Sequence, residues 1–247
     1  MRPHRVEESG EPRLRILAPT ILPGTGDVDL GQFHSIALAV DDVIDADLLA
    51  VLRQVDPAFQ AVTSPTNTCK VMRYAIRTGQ QEWFAVDVLC PLRGQVRDNV
   101  TELRALRGGV QVVRHLDFLL YREVNAVVLH GLGIPLNVPS PECYAIHKLL
   151  VSELRIGTPQ SQAKRIKDQA QADMLIRVLA TDRLYELEEG WKEMRDRGPR
   201  WRLKADRAVA SLPDDTRAVL QGMIGDTNRV AGTMTAHWRE VKLPTCL

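Results

Sequence analysis

The chain has no excess charge of either sign, no clustered cysteines and no long apolar run. With 32 basic residues against 31 acidic ones, no global field draws the protein to nucleic acid or to an anionic membrane. Any such contact has to come from a local patch. Cysteine is scarce: Cys69, Cys90, Cys143 and Cys246 lie far apart, with no C-x-x-C or Cys/His spacing. That distribution excludes a zinc knuckle and a disulfide framework, and reads as reduced thiols. No apolar stretch approaches the roughly 20 residues that span a bilayer, and the opening MRPHRVEESGEPRLR lacks an apolar signal core. The expectation is a cytoplasmic protein with no membrane contact. Internal repeats and low-complexity segments are also lacking, and nothing in the pattern sets an oligomeric state.

What is present is a chain of 247 residues with 45% apolar composition, enough for one large or two modest cores. Its first half alternates strand-like runs with one clear helix. RLRILA (13–18), DVDL (27–30) and IALAV (36–40) are strand candidates, and 46–55 has helical spacing that stops before Pro57. KVMRYAIR (70–77) and EWFAVDVLC (82–90) read as a hairpin, as do 125–131 and 134–139. The run from Val110 to Arg122 begins strand-like and then becomes ambiguous. From Pro139 onward the pattern is helical, over 142–153, 163–180, 185–197, 199–211 and 214–225, with Gly198-Pro199 and Pro213 as breaks. The expected class is α+β, a mixed or antiparallel sheet with flanking helices followed by a C-terminal helical region. The boundary is expected between 1–139 and 140–247.

Carboxylates carry the chemical signal. In an extended strand Asp27 and Asp29 share one face, and Val28 and Leu30 take the other. Two like charges side by side repel and raise one pKa unless a cation or basic group lies between them. A second D-x-D, Asp45-Ala46-Asp47, opens a helix, where acids favour the positive end of the dipole. Asp87 stands inside the apolar run Trp83-Phe84-Ala85-Val86-Asp87-Val88-Leu89-Cys90. An ionised carboxylate there needs a partner or a metal. If its strand lies near that of Asp27 and Asp29, three acids converge on one face, a donor set suited to Mg2+ or Mn2+ in phosphoryl transfer. The alternative is an ion pair between Asp87 and Arg73 or Arg77 on the preceding strand.

Taken in order, these segments resemble the DNA polymerase beta nucleotidyltransferase superfamily, and most closely a prokaryotic branch of it. The carrying motifs are Thr25-Gly26-Asp27-Val28-Asp29-Leu30, Val86-Asp87-Val88-Leu89-Cys90-Pro91, Pro141-Glu142-Cys143-Tyr144-Ala145-Ile146-His147-Lys148-Leu149 and Lys164-Arg165-Ile166-Lys167-Asp168-Gln169-Ala170-Gln171-Ala172. The resemblance spans about residues 20–185. It implies transfer of a nucleoside monophosphate from an NTP to a hydroxyl of RNA, protein or a small molecule. Asp27, Asp29 and Asp87 would be the catalytic acids and metal ligands, and Thr25, Lys148 and Asp168 would serve the nucleotide. The last two are similar to segments of abortive-infection and toxin nucleotidyltransferases, where the lysine reaches phosphate and the aspartate orients basic groups. Their residue-level alternative is a solvated Lys148 and an i, i+4 pair between Lys164 and Asp168.

Active superfamily members also carry a Gly-Ser or Gly-Gly turn opening a helix before the D-h-D strand. Here that region holds only Ser9-Gly10 in a charged leader, so an N-terminally shortened domain is expected. A catalytically degenerate binding or regulatory module of a toxin-antitoxin or defence system is the corresponding second expectation. Finally, Trp191 to Arg207 carries seven basic residues against three acids. It reads either as a nucleic-acid surface or as helix with buried tryptophans and a solvated basic face.

Overall fold

The computed structural model describes residues 27–31, 47–65, 67–79, 81–92, 94, 100–103, 108–129 and 131–223. The strand candidates at 13–18 and 36–40, the Ser9-Gly10 turn and Thr25 lie outside these residues. The architecture is α+β, with a mixed sheet, flanking helices and a C-terminal helical region, as expected.

Six strands, β1 (Asp27–Gly31), β2 (Phe59–Ser64), β3 (Asn67–Thr78), β4 (Gln81–Pro91), β5 (Val100–Leu103) and β6 (Gly108–Val113), form one sheet. Its order is β2-β3-β4-β6-β5, with β1 joined to β4. The β3–β4 hairpin is antiparallel, whereas β1 and β6 both run parallel to β4. At the hairpin turn Gly79 has φ +62°, a left-handed conformation that a side chain would strain. Gly109 is needed for a different reason: a Cβ there would lie 1.8 Å from the Val71 carbonyl oxygen, so the β6 backbone can pass β3 only without one.

Strand β4 is buried continuously from Ala85 to Val88, the mark of a strand covered on both faces. Val86, Val88 and Cys90 join Phe59, Tyr74 and Val110 in a core. Helix α1 (Leu48–Val55) closes it with Leu48, Leu49 and Leu52. A fully buried side chain such as Val86 contributes about 1.5–3 kcal/mol, and the half-buried leucines contribute less. The helix starts at Asp47, whose carboxylate accepts from the Leu49 and Ala50 amides at 3.0 and 3.2 Å. Within the second D-x-D, Asp47 is therefore an N-cap. Strands β2 and β5 escaped the sequence reading because neither has a sustained apolar pattern: β2 is buried only at its two ends, and β5 has four residues.

After β6 come the short helix α2 (Leu116–Leu119) and the separate hairpin β7 (Glu123–Val128) and β8 (Ile134–Pro139). The helices α3 (Pro141–Ser152), α4 (Pro159–Asp182), α5 (Leu184–Asp196) and α6 (Pro199–Ala210), with a further helix over 214–223, build the second core. Phe118 of α2 belongs to this core, although it precedes the boundary expected at 139. Helix α3 runs through its centre, started by Ser140, whose hydroxyl accepts from the Cys143 amide, and by Pro141 in the first turn. Between Glu142 and Val151 only Tyr144 and Lys148 escape burial. One turn apart, they form a single open stripe on an otherwise enclosed helix.

Candidate active site

The parallel register of β1 on β4 sets Asp27 against Ala85 and Asp29 against Asp87. Residues in register on neighbouring strands present side chains to the same face, so Asp27, Asp29 and Asp87 share one, opposite the Val86 and Val88 core. Residues of β1 are exposed as a whole, yet the Asp29 carboxyl is crowded on this face. Burial raises its pKa, the charges of Asp87 and Asp27 raise it further, and Lys148 and Arg73 pull it back. A lysine of the helical region thus acts electrostatically on a strand carboxylate.

Asp87 is only 6% exposed and is held from two sides. Continuing the Tyr74↔Val86 register by one residue sets Arg73 opposite it. Arg73 donates from Nε to Oδ1 at 2.9 Å and from Nη2 to Oδ2 at 2.5 Å, and Gln111 Nε2 donates to Oδ1 at 3.0 Å. Arg73 also reaches Glu82 Oε2 at 2.9 Å, and Arg77 pairs with Glu82. The sequence alternative of an ion pair with Arg73 is thus realised. Among the described residues, no three histidine, cysteine or acidic side chains are gathered closely enough to hold a metal ion.

In their chemistry, though, three carboxylates are the oxygen donors that a hard divalent cation takes. A carboxylate offers about four lone-pair positions; Asp87 uses two on Oδ1 and one on Oδ2, which leaves one acceptor position. The mutual repulsion that raises Asp29 is the kind of penalty a cation relieves. If brought together, Asp27, Asp29 and Asp87 would be the oxygen ligands of Mg2+ or Mn2+.

The helical half supplies cations. Lys148 Nζ donates to Asp168 Oδ1 at 3.0 Å, and Arg155 Nε donates to Oδ2 at 3.2 Å. Asp168 therefore takes these two partners rather than the Lys164 considered from sequence, because it belongs to the inward stripe of α4 with Ala172, Ile176 and Leu179. An acid at helical spacing within an apolar stripe is the signal that marks it. Lys148 Nζ lies 5.2 Å from the centroid of the Tyr144 ring. Burial alone would lower the lysine pKa; Tyr144 and Asp168 more than offset it and hold the ammonium above its ordinary value. Beside it, His147 is buried with Nε2 unpartnered, and desolvation lowers it to about 3. It is a neutral packing residue.

Arg155 and Gln111 were not singled out by sequence. Arg155 lies past the end of α3, so no helical spacing in the sequence links it to Lys148. In the basic segment Trp191 is buried in the helical core, while Trp201 is flanked by His115 at 4.2 Å and Phe118 at 6.1 Å between ring centroids. Lys192, Arg200, Arg202 and Arg207 are exposed. The buried-tryptophan reading holds for Trp191. Among the described residues, no helix is long and apolar enough to cross a membrane.

A family model described as Nucleotidyltransferase matches residues 11–196, well over half of the chain. No curated protein and no solved structure matches.

Proposed function

The chain belongs to this nucleotidyltransferase family, and we propose that it transfers a nucleoside monophosphate from an NTP to a hydroxyl acceptor in a reaction dependent on Mg2+ or Mn2+. The acceptor hydroxyl, on RNA, protein or a small molecule, attacks the α phosphate, and pyrophosphate leaves. When bound, the divalent ion supplies neutralisation of the triphosphate and activation of the attacking hydroxyl. The observation that carries the reading is the Asp29↔Asp87 register, on a face shared with Asp27 and within the electrostatic reach of Lys148. Asp27, Asp29 and Asp87 provide oxygen ligands, and Arg73 with Gln111 fixes the Asp87 carboxylate in one orientation. Lys148, a mobile point charge held by Asp168, approaches the phosphates. Thr25, just before the strand, is assigned to the nucleotide by the family resemblance alone.

Substituting Asp29→Asn tests this reading. Label transfer from α-labelled NTP falls roughly a hundredfold or more, while the melting temperature stays level or rises, because a repelling charge is removed. Undiminished transfer by the variant would exclude the assignment.

One observation favours a second reading. Arg73 already occupies both oxygens of Asp87, the arrangement expected of a fold that binds nucleotide or a regulatory partner without transfer, as in a defence or toxin-antitoxin module. Calorimetric titration separates the two: the enzyme binds NTP with an affinity that rises on adding Mg2+, and the degenerate module shows no Mg2+ dependence.

A further inference from the structure

The cluster around Asp168 holds more positive charge than its carboxylate requires. Asp168 is 4% exposed and would be neutralised by Lys148 alone, yet Arg155 binds its other oxygen, leaving a surplus of one positive charge. Arg155 engages Asp168 only through Nε. Its two Nη groups have no partner among the described residues, and its side chain is 39% exposed. A guanidinium anchored by one edge, with its outer nitrogens open, is preorganised to grip paired phosphate oxygens.

Position supports the same use. Lys148 acts on the Asp29 carboxyl, and Arg155 binds the Asp168 oxygen that Lys148 leaves. The interactions thus link the strand carboxylates to Lys148, Lys148 to Asp168, and Asp168 to Arg155. A triphosphate with its α phosphate beside the carboxylates and its tail on Lys148 would bring its outer phosphates to the cations that share Asp168.

We propose that Arg155 and Lys148, both held by the buried Asp168, form a clamp for the β and γ phosphates, with Arg155 as the outer phosphate-binding residue that selects triphosphates over monophosphates. The proposal rests on the nucleotide reading above. If Arg155 served only to neutralise Asp168, its loss would affect stability and leave anion binding unchanged.

The test is calorimetric titration of the full chain, in metal-free buffer, with inorganic tripolyphosphate and separately with a nucleoside monophosphate. Wild type, Arg155→Gln and Arg155→Lys are compared. The glutamine variant is expected to bind tripolyphosphate about tenfold more weakly, to keep its monophosphate affinity, and to be partly rescued by lysine, which restores charge without the fork. Tripolyphosphate affinity equal to wild type in both variants overturns the role of Arg155 and leaves the nucleotide reading standing. A wild type that binds neither tripolyphosphate nor NTP, with or without Mg2+, overturns that reading and the proposal with it. Lys148 remains on Asp168 in both variants, so the buried acid keeps a cation and the fold is retained.

Discussion

Asp87 and Asp168 are both buried, one in the sheet and one among the helices, and the chain neutralises them in opposite ways. Asp87 receives a two-pronged arginine and a glutamine from neighbouring strands of its own sheet. Three of its acceptor positions are filled and one remains. Asp168 receives single bonds from two cations that lie on or just beyond another helix, and those cations keep donors to spare. The same desolvation problem is thus solved once by saturating the acid and once by surrounding it with excess charge. An acid with one acceptor position left can still offer it to a hard cation, while an over-neutralised acid positions cations for an anion. On the proposed reading, those two properties would serve the two ends of a metal-bound polyphosphate.

The largest expected effect comes from breaking the sheet half. Arg73→Met leaves Asp87 with Gln111 as its remaining bonded partner, and should cost about 3–5 kcal/mol in urea unfolding. The double variant Arg73→Met/Asp87→Leu recovers much of that loss, because the uncompensated charge is gone. A single variant within about 1 kcal/mol of wild type would mean that the Arg73 fork is incidental. Next in size is Lys148→Met, expected to cost about 1.5–3 kcal/mol, the range for a charged hydrogen bond, since Arg155 stays on the other oxygen. If this variant proved less stable than Arg73→Met, the contrast between a saturated acid and an over-neutralised one would be lost.

The smallest effect sharpens the comparison through pH. His147 is kept neutral in the helical half, with a folded pKa of about 3 against an ordinary 6.5. Burial is the main cause; His115, Lys148 and Arg155 lower it further, and Asp168 opposes them. Between those values the unfolded chain binds the proton and the folded chain does not, so stability is present above 6.5 and falls as the pH drops. Between pH 7.5 and 5.5 the loss is about 1.4 kcal/mol. Urea midpoints at pH 7.5 and 5.5 should differ less in His147→Phe than in wild type; an equal difference would remove His147 from the account.

Much of the fold was legible because its signals are local. The hairpins, the β1 strand and the C-terminal row of helices follow from apolar periodicity, Pro and Gly punctuation and capping residues such as Ser140. Strands β2 and β5 were not, since pairing with a neighbour rather than their own pattern makes them strands. At the site, Asp87 stood out as an acid in an apolar run and Asp168 as part of a helical motif. Their partners were less visible: Arg73 was one of two candidates, and Gln111 and Arg155 lie 24 and 13 residues from the acids they hold. Separation along the chain carries no pairing information until strands align or helices pack.

By itself, then, the sequence determined the α+β class, the helical region and the acids that demand an explanation, because burying an apolar face and desolvating a charge are costs that each segment carries with it. The tertiary structure decided how those charges are met. Register set Asp29 beside Asp87 and Arg73 across from it, and helix packing set Lys148 and Arg155 on Asp168. Coulomb interactions depend on distances of a few ångströms between groups remote in sequence, and only the folded chain sets those distances.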